Sequence, residues 1–433
     1  DVDPSLTSDV VWSLYRAGCF CSVVEFGYAP RSGRDAVAVA VSLAACGRAD
    51  EAGRLLREAR LRGDISTKQL HRAAGVVARY GPAVALDLLD MDDGRASHPG
   101  LYLSLLIVLG EKHRLAERMA EGITPEQMLA DPDLMLLQAN LLHDPAAVVG
   151  QVNAFLARFH LAAVARKTDH LPLSATNMVS PARSGTERGP LVTVTMPAYN
   201  TAERIGPAIE SLLAQTYRDI EVVVVDDCST DATVSIVRRI AARDERVRLL
   251  ERSQNGGPYA ARNMALEAGR GVFAVCHDSD DWAHPEKIAR QVAPLLTDPK
   301  LGFTMSKWVR IQDDGRFCAA QVYPLTRINP ASPLFRREAA LARAGYYETV
   351  RTGADSEYMA RLKLVFGEDG WTLLPQPLAF GAQRPGSLTT DAETGTLKGE
   401  AMNAERLGYW EAWRKRHANA LRRRRSLRIP YSG

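Results

Sequence analysis

Along residues 1 to about 165 the apolar positions recur three and four apart, in segments rich in Ala, Leu and Arg, with no β-branched alternation. The stretch RDAVAVAVSLAACGRADEAGRLLREARLRG shows this best: two amphipathic runs are broken at Cys46-Gly47-Arg48, and Ala52, Leu55, Leu56 and Ala59 return at helical spacing. The pattern predicts an all-α domain over 1–165. Over 166–190 the period vanishes and Ser, Thr, Pro and Gly accumulate, which predicts a linker. From Leu191 the texture changes again. LVTVTMP, IEVVVVDD, VRLLE and VFAVCH read as strands, and between them AERIGPAIESLLAQ sets Ile205, Ile209, Leu212 and Leu213 on one helical face. Thr230 or Asp231 caps the helix DATVSIVRRIAARD, and the turn Asn255-Gly256-Gly257-Pro258 opens the helix YAARNMALEAG. Such alternation predicts an α/β domain over 191–395, a doubly wound, mostly parallel sheet with helices on both faces. Residues 396–433 read as a C-terminal helix and tail.

Composition adjusts this picture in three places. At 433 residues the chain exceeds one ordinary core, in keeping with two or three domains. A net charge of +3 gives no argument for a nucleic-acid partner, yet the last segment, EAWRKRHANALRRRRSLRIPYSG, holds eight Lys/Arg against Glu411 alone. The six cysteines lack metal-ligand or disulfide rhythm, which predicts reduced thiols in a cytoplasm, with Cys19 and Cys21 as small helical hydrophobes. No apolar run approaches a membrane span and no signal peptide is visible; the first residue is Asp1 rather than methionine, which leaves room for a processed or truncated start.

Chemistry concentrates at the predicted strand ends. Pro197-Ala198-Tyr199-Asn200 follows the first strand, Asp226-Asp227-Cys228-Ser229 the second, and Asp278-Ser279-Asp280-Asp281 the fourth. In a parallel sheet these ends share one edge, where ligands bind. Three aspartates within four positions repel one another unless a cation lies between them. An EF-hand is excluded, since Trp282 stands where a third ligand is needed.

In this order PAYN, VVVVDDCSTDAT, NGGPYAARNMAL and HDSDDWAHP resemble the motifs of family 2 glycosyltransferases with the GT-A fold, over residues 191 to about 390. The resemblance implies a metal-dependent inverting transfer of a sugar from a nucleotide-sugar donor, a UDP-sugar foremost, to a hydroxyl of a glycan or lipid-linked glycan in bacterial surface polysaccharide synthesis. It implies Mn²⁺ or Mg²⁺ at the acidic turn, with Asp280 against the donor ribose or the metal and Asp281 or Asp278 completing the set. Hard cations of this kind take carboxylate oxygens and leave positions open for phosphate. Asp227 matches the family aspartate that bonds the nucleotide base, within a slot made by Pro197, Ala198 and Tyr199. Asn255, Gly256, Gly257 and Arg262 match the NxG…AARN stretch, where glycines let backbone approach the ligand and Arg262 pairs with Asp280 or a phosphate.

The family's base is the aspartate of an ED-like motif opening a helix. GADSEYMARLKL sets Asp355 before an amphipathic stretch, with Ala354 in place of the usual glutamate and Glu357 in reserve; FGEDGW offers Glu368-Asp369 at a helix end, a poorer setting for a group that must be held rigidly. Arg384 stands in QRPGSLTT where a histidine is common, as a diphosphate contact or a loop residue. The helical pair around Gly47 resembles a tetratricopeptide-type unit, which implies a protein partner for the first domain. Trp410 and Trp413 with Arg422–Arg425 suit either peripheral contact with the inner face of an anionic membrane or a packed helix with a solvated tail. Two rival readings stay on the page: a sugar-nucleotide nucleotidylyltransferase, which lacks its Gly-rich basic run in PAYNTAERIG, and a non-enzymatic helical scaffold with a degenerate second domain.

Overall fold

The structure, a computed structural model, describes residues 4–181, 187–319, 321–391, 393–398 and 401–431. The expected domains, linker and tail therefore each contain a few positions, such as 1–3, 182–186 and 399–400, outside the described residues. The chain divides into two compact units.

The first unit takes Asp1–Leu137, Ala319–Leu325 and Pro385–Asn419. It is helical from Pro4–Arg16 onward. The two runs around Cys46-Gly47-Arg48 form helices Gly33–Ala45 and Ala49–Leu61, and Gly47 takes the left-handed φ of +83° that the break between them requires. Ala52, Leu56 and Ala59 are fully buried with Leu70, Val77, Leu88 and Leu105 in one core. At the next helix start Ser66 and Gln69 cap each other reciprocally, each side chain accepting the other's amide, at 3.3 and 2.9 Å. The C-terminal helix, Ala404–Arg422, supplies Leu407 and Trp413 to this unit as buried side chains, and Glu411 accepts the Cys21 amide at 2.6 Å and the Ser22 hydroxyl at 2.8 Å. All six cysteines are unbridged, with Cys21 and Cys46 sulfurs 3.8 Å apart.

The second unit takes Gln138–Cys318, Thr326–Arg384 and Ala420–Gly433. The main path of its sheet runs through β1 (Val192–Ala198), β2 (Ile220–Asp226), β3 (Val247–Glu251), β4 (Phe273–Cys276), β5 (Trp282–Ala283), β6 (Phe303–Gln312), β7 (Leu334–Arg336) and β8 (Trp371–Gln383), in the order β3-β2-β1-β4-β7-β6-β8-β5, with the short strands Phe317–Cys318 and Arg327–Ile328 paired to β6 beside it. The first four strands are mutually parallel; β7 then runs antiparallel to both β4 and β6, while β8 is parallel to β6. The helices that bear on the site are α1 (Ala202–Leu213), α2 (Thr233–Ala241), α3 (Pro258–Ala268), α4 (Lys287–Thr297) and α5 (Ala354–Phe366). Every residue of β1 and β2 is buried, which is why their sequences run apolar without alternation. Among the described residues no helix is long and apolar enough to cross a membrane.

The boundaries between units differ from the linear reading. The helix Pro145–Ala157 and the segment after it lie in the second unit, where Ala162 donates its amide to Glu286 at 2.8 Å. The expected linker carries a short ladder, Ala165–Arg166 against Met178–Val179, and the Asn177 amide bonds the carbonyls of Thr168, Leu171 and Pro172. Side-chain-to-backbone bonding of this kind holds a segment without any hydrophobic period to announce it.

Candidate active site

The order β3-β2-β1-β4 reverses direction between β1 and β4, so the crevice at their carboxyl ends is the switch point at which open α/β sheets take ligands. The motif segments meet there and bond one another. Asn200 donates its amide to Ser229 Oγ at 2.9 Å and accepts from the Thr230 amide at 2.8 Å; the Ala202 amide bonds Asp231 at 3.0 Å. Thr201 ties this pair to the acidic turn, since its hydroxyl donates to the Ser279 carbonyl at 3.2 Å. Pro197 and Ala198 are buried at the end of β1, whereas Tyr199 is half exposed. Asp227 is 3% exposed and accepts the amides of Gly256 at 2.9 Å and Gly257 at 2.7 Å, with Arg252 Nε 3.0 Å from its Oδ1. Asn255 in turn donates to the Asp227 carbonyl at 3.0 Å. Gly257 has φ +83° just before Pro258 starts α3, a conformation that favours glycine.

The acidic turn spreads its three carboxylates onto three partners. Asp278 is held by Arg262 at 2.6 Å, Asp280 by Arg384 at 3.3 Å, and Asp281 Oδ1 accepts the Ala382 amide at 2.9 Å. Arg262 therefore pairs with Asp278 and not with Asp280, whose counter-ion comes from the far end of β8. Like charges this close are tolerable when each has its own donor. Burial pushes Asp278 up, but the Arg262 guanidinium, with the Lys287 charge behind it, leaves the group below its ordinary range. Asp280 and Asp281 stand above theirs, first through burial and then through repulsion within the turn. Underneath, the fully buried Lys287 of α4 donates to His277 Nδ1 at 3.2 Å, and His277 Nε2 lies 3.2 Å from the Asp281 carbonyl. That network assigns a neutral imidazole with its proton on Nε2; burial, then the Lys287 charge, push its pKa down to about 3.

Among the described residues no three His, Cys, Asp or Glu side chains converge as a ready ligand set. The hard oxygens on offer are Asp278 and Asp280, whose side chains are 34% and 20% exposed, while Asp281, 5% exposed, is turned to the β8 backbone. Two carboxylates suit Mg²⁺ or Mn²⁺ when phosphate and water supply the remaining positions. The donor set thus fits such an ion with two of the three expected aspartates.

Asp355 opens α5, partly exposed, and its Oδ1 accepts the Ser356 amide at 2.8 Å. Glu357, expected in reserve, is fully buried and clamped by Arg361 at 2.7 and 2.9 Å, out of reach of a solvent-borne hydroxyl. Glu368-Asp369 sit exposed beyond the other end of α5, roughly 20 Å from Asp355 at 1.5 Å per residue. Sequence reading missed the aromatic floor beneath the acidic turn. Arg262 lies over Tyr259 at 5.1 Å and over Tyr347 at 5.7 Å, and the two rings stack at 5.9 Å. The available signal was Tyr259 three positions before Arg262, one helical turn away on the same face.

Comparison with known proteins bears on this arrangement. Residues 193–347 match the model of Glycosyl transferase family 2. They form a family 2 glycosyl transferase domain. The chain is 46% identical over 106 residues to the succinoglycan biosynthesis protein ExoO of Rhizobium meliloti, covering 24% of this chain and 30% of that one. It is 36% identical over 118 residues to the Escherichia coli UDP-Glc:alpha-D-GlcNAc-diphosphoundecaprenol beta-1,3-glucosyltransferase WfaP, covering 27% and 46%. Against S. aureus TarS 1-349 in complex with UDP-GlcNAc the identity is 23% and the TM-score 0.39, over 46% of this chain and 60% of that one. The chain thus matches less than half the length of either curated relative. The family 2 match spans the four motif segments and β1 to β7 but stops before Asp355 and Arg384, whose placement rests on the fold.

Proposed function

We propose that the chain is a metal-dependent inverting glycosyltransferase that moves a sugar from a UDP-sugar to a hydroxyl of a glycan or lipid-linked glycan in bacterial surface polysaccharide synthesis. The observation that carries this reading is the knitting of the family 2 motifs around one switch-point crevice, where an acidic turn and two arginines face each other. The relatives' names, one a UDP-Glc glucosyltransferase and one a succinoglycan biosynthesis protein, support the donor and the pathway class. Neither the scaffold nor the nucleotidylyltransferase reading gains support from them.

In this reading Tyr199 stacks on the base and Asp227, at the floor of the slot, accepts from a base N–H. The Gly256-Gly257 backbone lies against the donor, and Asp278 and Asp280 hold Mn²⁺ or Mg²⁺. Such an ion, when bound, neutralises charge on the departing diphosphate. Arg262 and Arg384, already aimed at the acidic turn, bring positive charge to the same diphosphate. Asp355 takes the proton from the acceptor hydroxyl as its oxygen bonds the anomeric carbon and the bond to the diphosphate oxygen breaks; attack from the opposite face inverts that carbon. The helices of the first unit are the surface we assign to a protein partner, and Arg422–Arg425 to peripheral contact with the inner membrane face.

The test is thermal unfolding with UDP, GDP, CMP and dTDP, each with and without Mn²⁺. UDP with Mn²⁺ at about a hundred times its Kd should contribute about 2.7 kcal/mol, roughly 5 to 10 °C for a domain of this size, and EDTA should remove the shift. A shift with another nucleotide would replace the donor class, and no metal-dependent shift with any of the four would overturn the reading.

A further inference from the structure

One face of α3 presents Tyr259, Arg262 and Asn263, at i, i+3 and i+4. Each engages a different part of the site. Arg262 holds Asp278, 2.6 Å away. Asn263 pins Tyr347 by paired bonds, donating to its carbonyl and accepting its amide, both at 2.9 Å. Tyr259, 5% exposed, reaches across to the start of α5, where its hydroxyl oxygen accepts the Gly353 amide at 3.0 Å and lies within reach of the Asp355 backbone.

That helix start lacks the usual device. Gly353 is the N-cap residue, with φ +89° and no side chain to accept the first amides of α5. The Tyr259 oxygen, from another helix, accepts the amide of the N-cap residue itself. Burial, then the neighbouring Asp355 charge, push the phenol well above its ordinary pKa, so it stays protonated, and its oxygen lone pairs take the amide. Its ring contacts both Arg262 and Tyr347, which leaves the oxygen little freedom.

We propose that Tyr259 is a positioning residue: as a through-space cap on α5 it sets the direction in which Asp355 leaves the helix. Through Arg262 on the same ring it joins the acidic turn to the helix that bears the proton acceptor. This rests on the assignment of Asp355 as the base.

Tyr259→Phe keeps the ring and its stacking and removes the oxygen alone. In the full chain, hydrogen exchange at the Gly353 amide should rise about fivefold or more, the loss expected of one hydrogen bond. UDP affinity with Mn²⁺, measured by calorimetry, should hold within about twofold, while kcat for hydrolysis of UDP-glucose to UDP and glucose, with water as the acceptor hydroxyl, should fall about tenfold with KM nearly constant, as displacement of a reacting group demands. Unchanged exchange at Gly353, or matched losses of UDP affinity and kcat, would overturn the proposal. The exchange readout needs no donor sugar. A fluorinated tyrosine at 259, a weaker acceptor in the same place, should move exchange in the same direction by less, and it covers the case in which Tyr259→Phe does not fold. Asp355→Asn separates the two layers. Wild-type turnover in that variant sinks the base assignment, whereas wild-type kcat in Tyr259→Phe beside an inactive Asp355→Asn sinks the positioning role alone.

Discussion

At the scale of single residues, the sequence marks which side chains are unusual but not which of them meet. Asp355 and Glu357 stand two apart in one helical turn, and both are carboxylates near a candidate cleft. Their fates differ because Arg361 lies four residues after Glu357 and points the same way, so that the pair closes in a fully buried fork while Asp355 faces outward. The i,i+4 spacing was visible in GADSEYMARLKL; the burial that makes it structural was not. Arg361 also donates to the carbonyls of Ala344 and Tyr346, tying the loop before α5 to the helix. Removing one partner of such a pair leaves a charge without its counter-ion in the interior. Glu357→Gln should therefore lower stability by about 3 kcal/mol, read as a reduced urea midpoint with an unchanged slope. A midpoint equal to that of the parent would mean that the fork contributes nothing net. The acidic turn teaches the same lesson: its charge was legible, but its distribution depends on Arg262 of α3 and, about a hundred residues further on, on the Ala382 amide of β8 and on Arg384.

At the scale of elements, periodicity marked the first domain as helical and located the parallel strands and the helices between them, because both patterns are local consequences of which face meets the core. The antiparallel half of the sheet was harder: β5 and β7 are two and three residues long and make no pattern of their own. The C-terminal helix shows how an element can be read correctly while its surroundings stay hidden. Leu407 and Glu411 stand four apart, as do Trp413 and His417, and all four are buried. Trp413 packs against His417 at 5.2 Å and under Arg414 at 5.1 Å, so this tryptophan is committed to the first unit and is not presented to a bilayer. Large-to-small truncation at such a position costs transfer energy and leaves a cavity. Trp413→Ala should destabilise by about 3 to 5 kcal/mol in urea unfolding. If stability held and vesicle binding fell instead, the ring would belong to a membrane-facing surface.

At the scale of the whole molecule, length and texture announced two kinds of domain, and the linear order of the chain then misled about their membership. The first unit gathers three separate stretches, including Ala319–Leu325, whose Tyr323 packs on Gly100 and bonds Asp131. Nothing local in that heptapeptide signals contact with residues two hundred positions away. The tail is a clearer case, since its property is charge rather than contact. Arg422–Arg425 are exposed, and a few residues later the chain is fixed again, with the Tyr346 amide bonded to the Ile429 carbonyl at 3.0 Å and Tyr431 against Tyr346 at 4.9 Å. Four adjacent guanidinium groups on a short anchored loop form a compact positive site on a chain of net charge only +3. Near an anionic leaflet each contributes about 1 kcal/mol, and the attraction fades as salt shortens the screening length. The full chain should bind vesicles containing phosphatidylglycerol at low salt, release from them as salt rises, and ignore vesicles of phosphatidylcholine alone. Replacing all four arginines with glutamine should abolish that binding and leave the UDP-dependent thermal shift intact. Equal retention of the variant and the parent on anionic vesicles would assign the arginines to a solvated surface and move the search for a membrane contact elsewhere on the chain.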